Sequence, residues 1–292
     1  MNKIILTFSF VCLLLLSGCS PKDKSTDTVY NKGKITIYTD DSFVNVVSSL
    51  ADAYMMSYPE TKINVKVKKE DLAFLDLLDN KAALIAISKP LTQKEIAQYV
   101  QKTDLKYTPA YFAADAVVFI VPKTSAKKSI SIDEIKTDMR SPKEKNIIFD
   151  GNNSSNLNFV SSKLGYKPSD LNYSIINGNE SLIEQLNKYP DKIGVVGLNS
   201  LSRPYSKEAE KLRSMVKILP VTEDGKSYEP SVFNLRNLKY PFSRPIYFLY
   251  NEGGFGIAQG IIRFSCTQLG QLVVEKEGLQ PYYLYKREVQ MR

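Results

Sequence analysis

The residue pattern predicts an α/β fold with mainly parallel strands. Short alternating or wholly apolar runs are interleaved with segments whose apolar residues recur every three or four positions. The two patterns exchange at the pace of successive strand–helix–strand units, which dictates right-handed crossovers and a parallel sheet. The chain has 292 residues, enough for one large domain or two medium ones once its first 33 are set aside.

Residues 35–39 alternate as a strand and run through Asp40, Asp41 and Ser42, good helix-capping residues. Phe43, Val46, Val47, Leu50 and Tyr54 then recur at helical spacing until Pro59. Residues 62–67 alternate again. A helix is expected over 71–79 with Leu72, Leu75 and Leu78 along one side, then a strand covered on both faces over 82–87. Thr92 caps a helix over 93–102. Strands follow at 116–121 and 146–149, with a short helix at 132–137 between them. A polar loop at 152–155 leads into a helix carrying Leu157, Phe159, Val160 and Leu164. Ser181 is expected to cap a helix to 188, and 193–197 is a buried strand whose glycines allow close backbone approach. A strand at 244–250 precedes one long helix with Ile257, Ile261, Phe264, Leu269, Leu272 and Val273.

The chain begins with Lys3, an apolar run over 4–16, and Leu16-Ser17-Gly18-Cys19. Positive start, short apolar stretch and small residues form a secretory signal, too short to span a bilayer comfortably. The tetrapeptide resembles the bacterial lipobox, which implies cleavage before Cys19 and acylation of its thiol. An ordinary secreted protein with a chance cysteine is the plainer alternative. Residues 20–34 are polar and almost free of apolar side chains, as a flexible tether is. The apolar run at 111–121 carries Asp115, is short, and ends at Pro122, so it reads as a buried strand.

Composition excludes several function classes. There is no histidine and no tryptophan, and of the three cysteines Cys12 leaves with the signal and Cys19 is acylated. Cys266 alone remains, so no intramolecular disulfide, His-based triad, Cys–His pair or usual zinc site is available. An enzyme is therefore not expected, nor any metal or cofactor. Net charge is +8, but the lysines are scattered among acids without a basic block, which argues against a nucleic-acid partner.

Tyr240-Pro241-Phe242-Ser243-Arg244-Pro245-Ile246-Tyr247 and Gly270-Gln271-Leu272-Val273-Val274-Glu275-Lys276-Glu277-Gly278-Leu279-Gln280-Pro281 resemble two C-terminal signatures of the periplasmic phosphate-binding proteins of ABC importers. Ser88-Lys89-Pro90-Leu91 is similar to that family's Ser-Arg-Pro-Leu segment, and Ile193-Gly194-Val195 to its Ile-Gly-Tyr strand. The resemblance covers nearly all of 34–292. It implies a two-lobed type II periplasmic-binding-protein fold with two crossover strands. Lobe one would take 34–112 and 240–292, lobe two 113–239, behind a signal peptide at 1–18 and a tether at 19–33.

It also implies that a small anionic solute such as phosphate is held between the lobes by four loops. By position these contain Thr39 and Ser42, then Lys69, then Ser88 and Lys89, then Ser154, Ser155 and Asn156. Several positions depart from the family pattern. Asp40 and Asp41 stand where small residues are usual, where they repel a dianion or cap the following helix. Lys69 and Glu70 replace loop glycines; Lys68 or Lys69 could supply charge, but solvated lysines are the plainer reading there. Asp150 replaces an arginine, and Lys89 lacks the bidentate fork of the arginine it matches. Arg140, Arg203 and Arg244 are left as candidates for the missing guanidinium. Membrane partners would be the lipid on Cys19 and an inner-membrane permease. A diverged sensor or protein-interaction subunit of an envelope complex is the alternative.

Overall fold

The computed structural model describes residues 29–285. The signal segment, Cys19 and most of the tether lie outside the described residues. Within them, no helix is long and apolar enough to cross a membrane.

Strand β1 (Gly33–Thr39), helix α1 (Val44–Ser57), β2 (Thr61–Val67), α2 (Glu70–Leu78), β3 (Leu84–Ile87) and α3 (Gln93–Thr103) follow in the expected order. Alpha-helix α3 starts on a full capping box, in which Thr92 accepts from the Glu95 amide and Glu95 reaches back to the Thr92 amide. Next come β4 (Ala110–Pro122), β5 (Ile130–Ser131), α4 (Ile132–Arg140), β6 (Ile147–Phe149), α5 (Ser155–Leu164), β7 (Ser174–Ile175), α6 (Asn179–Gln185) and β8 (Ile193–Gly197). The chain continues through α7 (Asn199–Ser202), α8 (Lys207–Met215), β9 (Val216–Leu219), β10 (Val221–Glu223), β11 (Lys226–Tyr228) and α9 (Val232–Arg236). It ends with β12 (Ser243–Tyr250), α10 (Ile257–Ser265), α11 (Gln268–Lys276) and β13 (Gln280–Pro281).

The main sheet has the order β2-β1-β3-β12-β4-β8-β6-β7, with β9 and β13 also paired to β4; β11, β10 and β5 form a small separate sheet. Pairing is parallel in β2-β1-β3 and in β8-β6-β7, as expected. The middle departs from expectation: β12 is antiparallel to β3 and β4, and β4 is antiparallel to β8. The cause is topological. Strand β4 runs out of the first lobe and into the second, and the segment leading into β12 makes the return journey, so the two must oppose each other.

The crossing is visible in the register. Residues 110–116 of β4 pair with β12, and Val117 to Ile120 pair with β8. At the changeover the Val117 amide donates to the Phe242 carbonyl at 3.0 Å. Buried side chains fall on either side of this seam. One cluster gathers Val118, Phe119, Ile148, Phe149, Val195 and Phe242; two others gather Ile37, Val47, Leu50, Phe112 and Ile261, and Phe74, Leu77, Ile85 and Tyr247. Each such side chain removed from water contributes about 1.5–3 kcal/mol, so each lobe has a core of its own.

Three local expectations need correction. In α2 the buried residues are Glu70, Ala73, Phe74, Leu77 and Leu78, while Leu72 and Leu75 are exposed. Phe74 outweighs the leucine spacing and turns its own face inward. Helix α6 starts at Asn179 after Gly178, two residues before Ser181, because Asn179 is held by the opposite lobe as described below. The long C-terminal helix is two: α10 stops at Ser265, with Cys266 half-buried at its end, and Thr267 caps α11. The break brings Gly270 against the end of α10, where an added Cβ would lie 2.3 Å from the Phe264 carbonyl oxygen.

That approach is closer than any side chain permits. Gly270→Ala is therefore expected to cost about 1–3 kcal/mol while retaining the fold, read as a lowered urea midpoint with unchanged slope. An unchanged midpoint would mean that the two helices do not meet at this residue.

Candidate functional site

The C-terminal ends of β1, β2 and β3 face the N-terminal end of α5 across the seam, and the loops between carry the expected residues. Arg244, on β12 beside the crossing, is the largest fully buried side chain among the described residues. Its Nε and Nη2 donate to Asp115 Oδ2 at 3.2 and 2.8 Å. Nη2 also donates to Asn156 Oδ1 at 2.9 Å, and Nη1 to Ser155 Oγ at 3.4 Å. The guanidinium lies 4.6 Å from the Phe43 ring centre and 5.9 Å from that of Phe159, one aromatic from each lobe. Of the three candidate arginines only Arg244 reaches the cleft: the exposed Arg140 stacks on the half-buried Tyr166 ring, and Arg203 lies near Glu277.

Asp40 is fully buried and bridges the lobes. Its Oδ1 accepts from the Ser42 amide at 3.1 Å and from Ser155 Oγ at 2.9 Å; its Oδ2 accepts from the Ser155 amide at 3.1 Å. The expectation that Asp40 or Asp41 caps the helix following it is thus corrected. Helix α1 starts without a side-chain cap, and Asp40 satisfies the first turn of α5 in the other lobe. Asp41 also reaches across, accepting from the amide and, at 2.8 Å, the side chain of Asn179. Asn179 in turn accepts from the Gly197 amide at 2.9 Å and from Asn156 Nδ2 at 3.1 Å.

The remaining expected residues divide. Ser154 caps α5, accepting from the Leu157 amide and donating to Asp150 Oδ1 at 2.8 Å. Ser42 Oγ accepts from Asn179 at 3.3 Å, and Thr39 is buried beside it. Lys69 is not a solvated lysine: it donates to the Asp150 carbonyl at 3.0 Å across the seam. Ser88 is turned to Glu70, whose Oε1 accepts from the Ser88 and Lys89 amides at 2.6 and 3.0 Å. The Lys89 ammonium leaves this group for Asp71 and Glu95, at 2.6 and 2.8 Å. The residues that sequence reasoning did not select are Asp115, Asn179 and Phe43. Asp115 carried a signal, a charged residue inside an apolar strand, whereas Phe43 read as helix core and Asn179 lies in a polar run before a helix.

Carboxylates outnumber cations in this space, and burial makes them costly. Burial, with the Asp40 charge adding, pushes Asp150 up to about 6 against the pull of Lys69. Glu70 is raised in the same way by burial and then by Asp40, and its Oε2 is buried with no hydrogen-bond partner among the described residues. Asp115 is raised by burial, with Arg244 opposing. For Lys69, burial works against the charge, but Asp150, Asp40 and Asp41 together hold its pKa above the ordinary value. Among the described residues no three acidic or cysteine side chains are grouped to hold a metal ion.

A family model described as the PBP superfamily domain matches residues 24–267, and the chain belongs to that family. Its fold is that of solved type II periplasmic-binding proteins. One is a Clostridium perfringens protein assigned as a phosphate ABC transporter substrate-binding protein, solved with phosphate bound. It is 19% identical with a TM-score of 0.70, over 86% of this chain and all of that one. A second is an ABC-type phosphate transport receptor from Vibrio cholerae, 17% identical, TM-score 0.62, over 84% and 99%. The regulatory domain of CcmR from Synechocystis, in complex with 2-PG, is similar at TM-score 0.54 and 16% identity over 80% and 96%. Comparison with curated protein sequences gave no match.

The raised Asp150 pKa has a signed consequence. A carboxyl whose folded pKa stands above its unfolded one stabilises the fold fully below about pH 4, and that contribution is lost as pH rises through about 6. Asp150→Asn keeps an acceptor for Ser154 and removes the charge. It should be more stable than the parent at pH 8, by on the order of 2 kcal/mol, and equal to it at pH 4. Parallel melting curves at both pH values would show instead that Asp150 titrates as an ordinary carboxyl.

Proposed function

We propose that this chain is a lipid-anchored, extracytoplasmic solute-binding protein of the phosphate-binding, ABC-importer type, with its solute seat in the cleft between the lobes. The observation that carries this reading is the convergence on one buried spot of the Arg244 guanidinium, the first turn of α5 and the Ser155 hydroxyl. Donors of this kind suit an oxyanion. Thr39, Ser42, Lys69, Ser88, Lys89, Ser154, Ser155 and Asn156 are the residues proposed to reach it. The tether occupies 19–33. Lobe one is proposed to take 34–112 and 240–292 and lobe two 113–239, a reading supported by β4 changing partner from β12 to β8 after Ala116. An inner-membrane permease, or another envelope complex, is the proposed recipient, and the proposed chemistry is binding without catalysis.

The same site tempers the ligand. Asp40 and Glu70 already accept from the amides of Ser42, Ser155, Ser88 and Lys89, so free phosphate meets both occupied donors and negative charge. A lost charge-assisted contact to a buried anion costs about 1.5–3 kcal/mol, or roughly tenfold to a hundredfold in affinity. Phosphate is therefore expected to bind more weakly than about 1 μM. This feature also supports a second reading, in which the fold serves as a sensor or protein-interaction subunit. The likeness to a regulatory domain shows that the fold is used outside transport receptors.

Calorimetry on the mature chain, over a panel of oxyanions, amino acids and sugars, tests the receptor reading. Sulfate, whose charge is constant over this range, should bind more tightly at pH 5.5 than at pH 8, because Asp150 loses its charge on passing below about pH 6. A panel without any binding solute would leave the second reading, and submicromolar phosphate binding at pH 8 would refute the account of the occupied donors. The anchor is tested separately. Cys19→Ala should abolish lipid labelling and leave the precursor uncleaved before residue 19; equally acylated protein from the mutant would overturn it.

A further inference from the structure

Asp40 differs from the other acids of the cleft in what it joins. Glu70 serves the amides of its own lobe, and the buried Asp150 binds Ser154 of its own lobe and reaches the other only through the Lys69 ammonium. Asp40 alone binds the first-lobe amide of Ser42 with one oxygen while both oxygens bind Ser155 of the second lobe. Ser155 Oγ is also the atom that Arg244 approaches at 3.4 Å, so the carboxylate sits beside the buried guanidinium. The lobes meet closely around it: a Cβ added to Gly197 would lie 2.8 Å from Ser42 Cβ and 3.3 Å from Arg244 Nη2.

We infer that Asp40 is the chain's own occupant of the anion seat, an internal ligand that latches the two lobes and that a solute anion must displace in order to bind. The inference rests on reading the cleft as the solute seat. Its physics is competition. A carboxylate carried on the same chain acts at the high effective concentration of a tethered group, so a free anion with the same donors sees an affinity lowered by the fraction of time the seat is open. Asp41 reinforces the latch through Asn179 but touches neither Ser155 nor Arg244, so it holds the lobes together without filling the seat. Asp40 is in this sense a specificity-determining residue. It decides how strong an anion must be to enter.

The test uses Asp40→Ser, which removes the carboxylate and restores a small hydroxyl, and Asp40→Asn, which keeps its size, as a second variant should the first not fold. Inorganic phosphate is titrated by calorimetry at pH 7.5, and the radius of gyration is measured by small-angle scattering with and without it. Asp40→Ser should bind phosphate at least tenfold more tightly than the parent. Without phosphate it should be larger than the parent, and with phosphate it should contract to the parent's radius. Asp40→Asn should show the same expansion. Expansion without any phosphate binding supports the latch and counts against the cleft as an oxyanion seat. Both variants keeping the parent's radius and its phosphate affinity overturns the latch, whatever solute the parent binds.

Discussion

A guanidinium fully removed from water must be paired, and the rest of the cleft follows from how Arg244 meets that demand. Desolvating one such charge costs several kcal/mol, recovered only when good hydrogen bonds surround it. Arg244 finds a carboxylate on the neighbouring strand, an amide and a hydroxyl at the start of α5, and two aromatic faces. Asp115 and Arg244 are register partners where β4 and β12 exchange lobes. The ion pair therefore fixes the strands that cross, while the contacts to Ser155 and Asn156 fix the lobe they cross into. Removing one partner leaves the other as an uncompensated buried charge, so neither residue is free to vary alone.

Around this pair the chain solves a second problem with its own acids. The first amides of a helix have no partner inside it and carry a partial positive charge. In an anion receptor that demand is useful, because a solute satisfies it. Here Asp40 satisfies it for α5, and Glu70 does the same for the loop after β3. Such acids cost desolvation first and mutual repulsion second, and both raise the pKa values of Asp150 and Glu70. The acquired property is attachment: Asp40, Asp41, Lys69 and, through Asn158, Asp71 all hold the opposite lobe.

The architecture was legible in the chain because periodicity and order carry it. The βαβ rhythm of 35–102 and the two C-terminal signatures pointed to the fold, and the cap at Thr92 was readable outright. The antiparallel middle of the sheet was not, since strand direction at a crossing depends on which lobe the chain enters next. The leucine spacing of 72, 75 and 78 misled because Phe74, a larger apolar side chain, sets the buried face of α2. At the site, the four loops were named from the resemblance alone. What their side chains do to one another was not. Nothing in Asp40-Asp41-Ser42 says that Asp40 caps a helix more than a hundred residues later, and Arg244 could be placed only once its strand was seen to lie at the seam. Long-range hydrogen bonds of this kind have no local sequence signal.

The central claim is that the chain's own carboxylates occupy the donors of the cleft and tie its halves together. Amide hydrogen exchange reads those donors one by one. The account predicts that the Ser42, Ser155 and Asn179 amides of the parent exchange as slowly as the β4 core amides of Val118 and Phe119. Exchange at the rate of open loops at these three amides, with the β4 amides still protected, would contradict it.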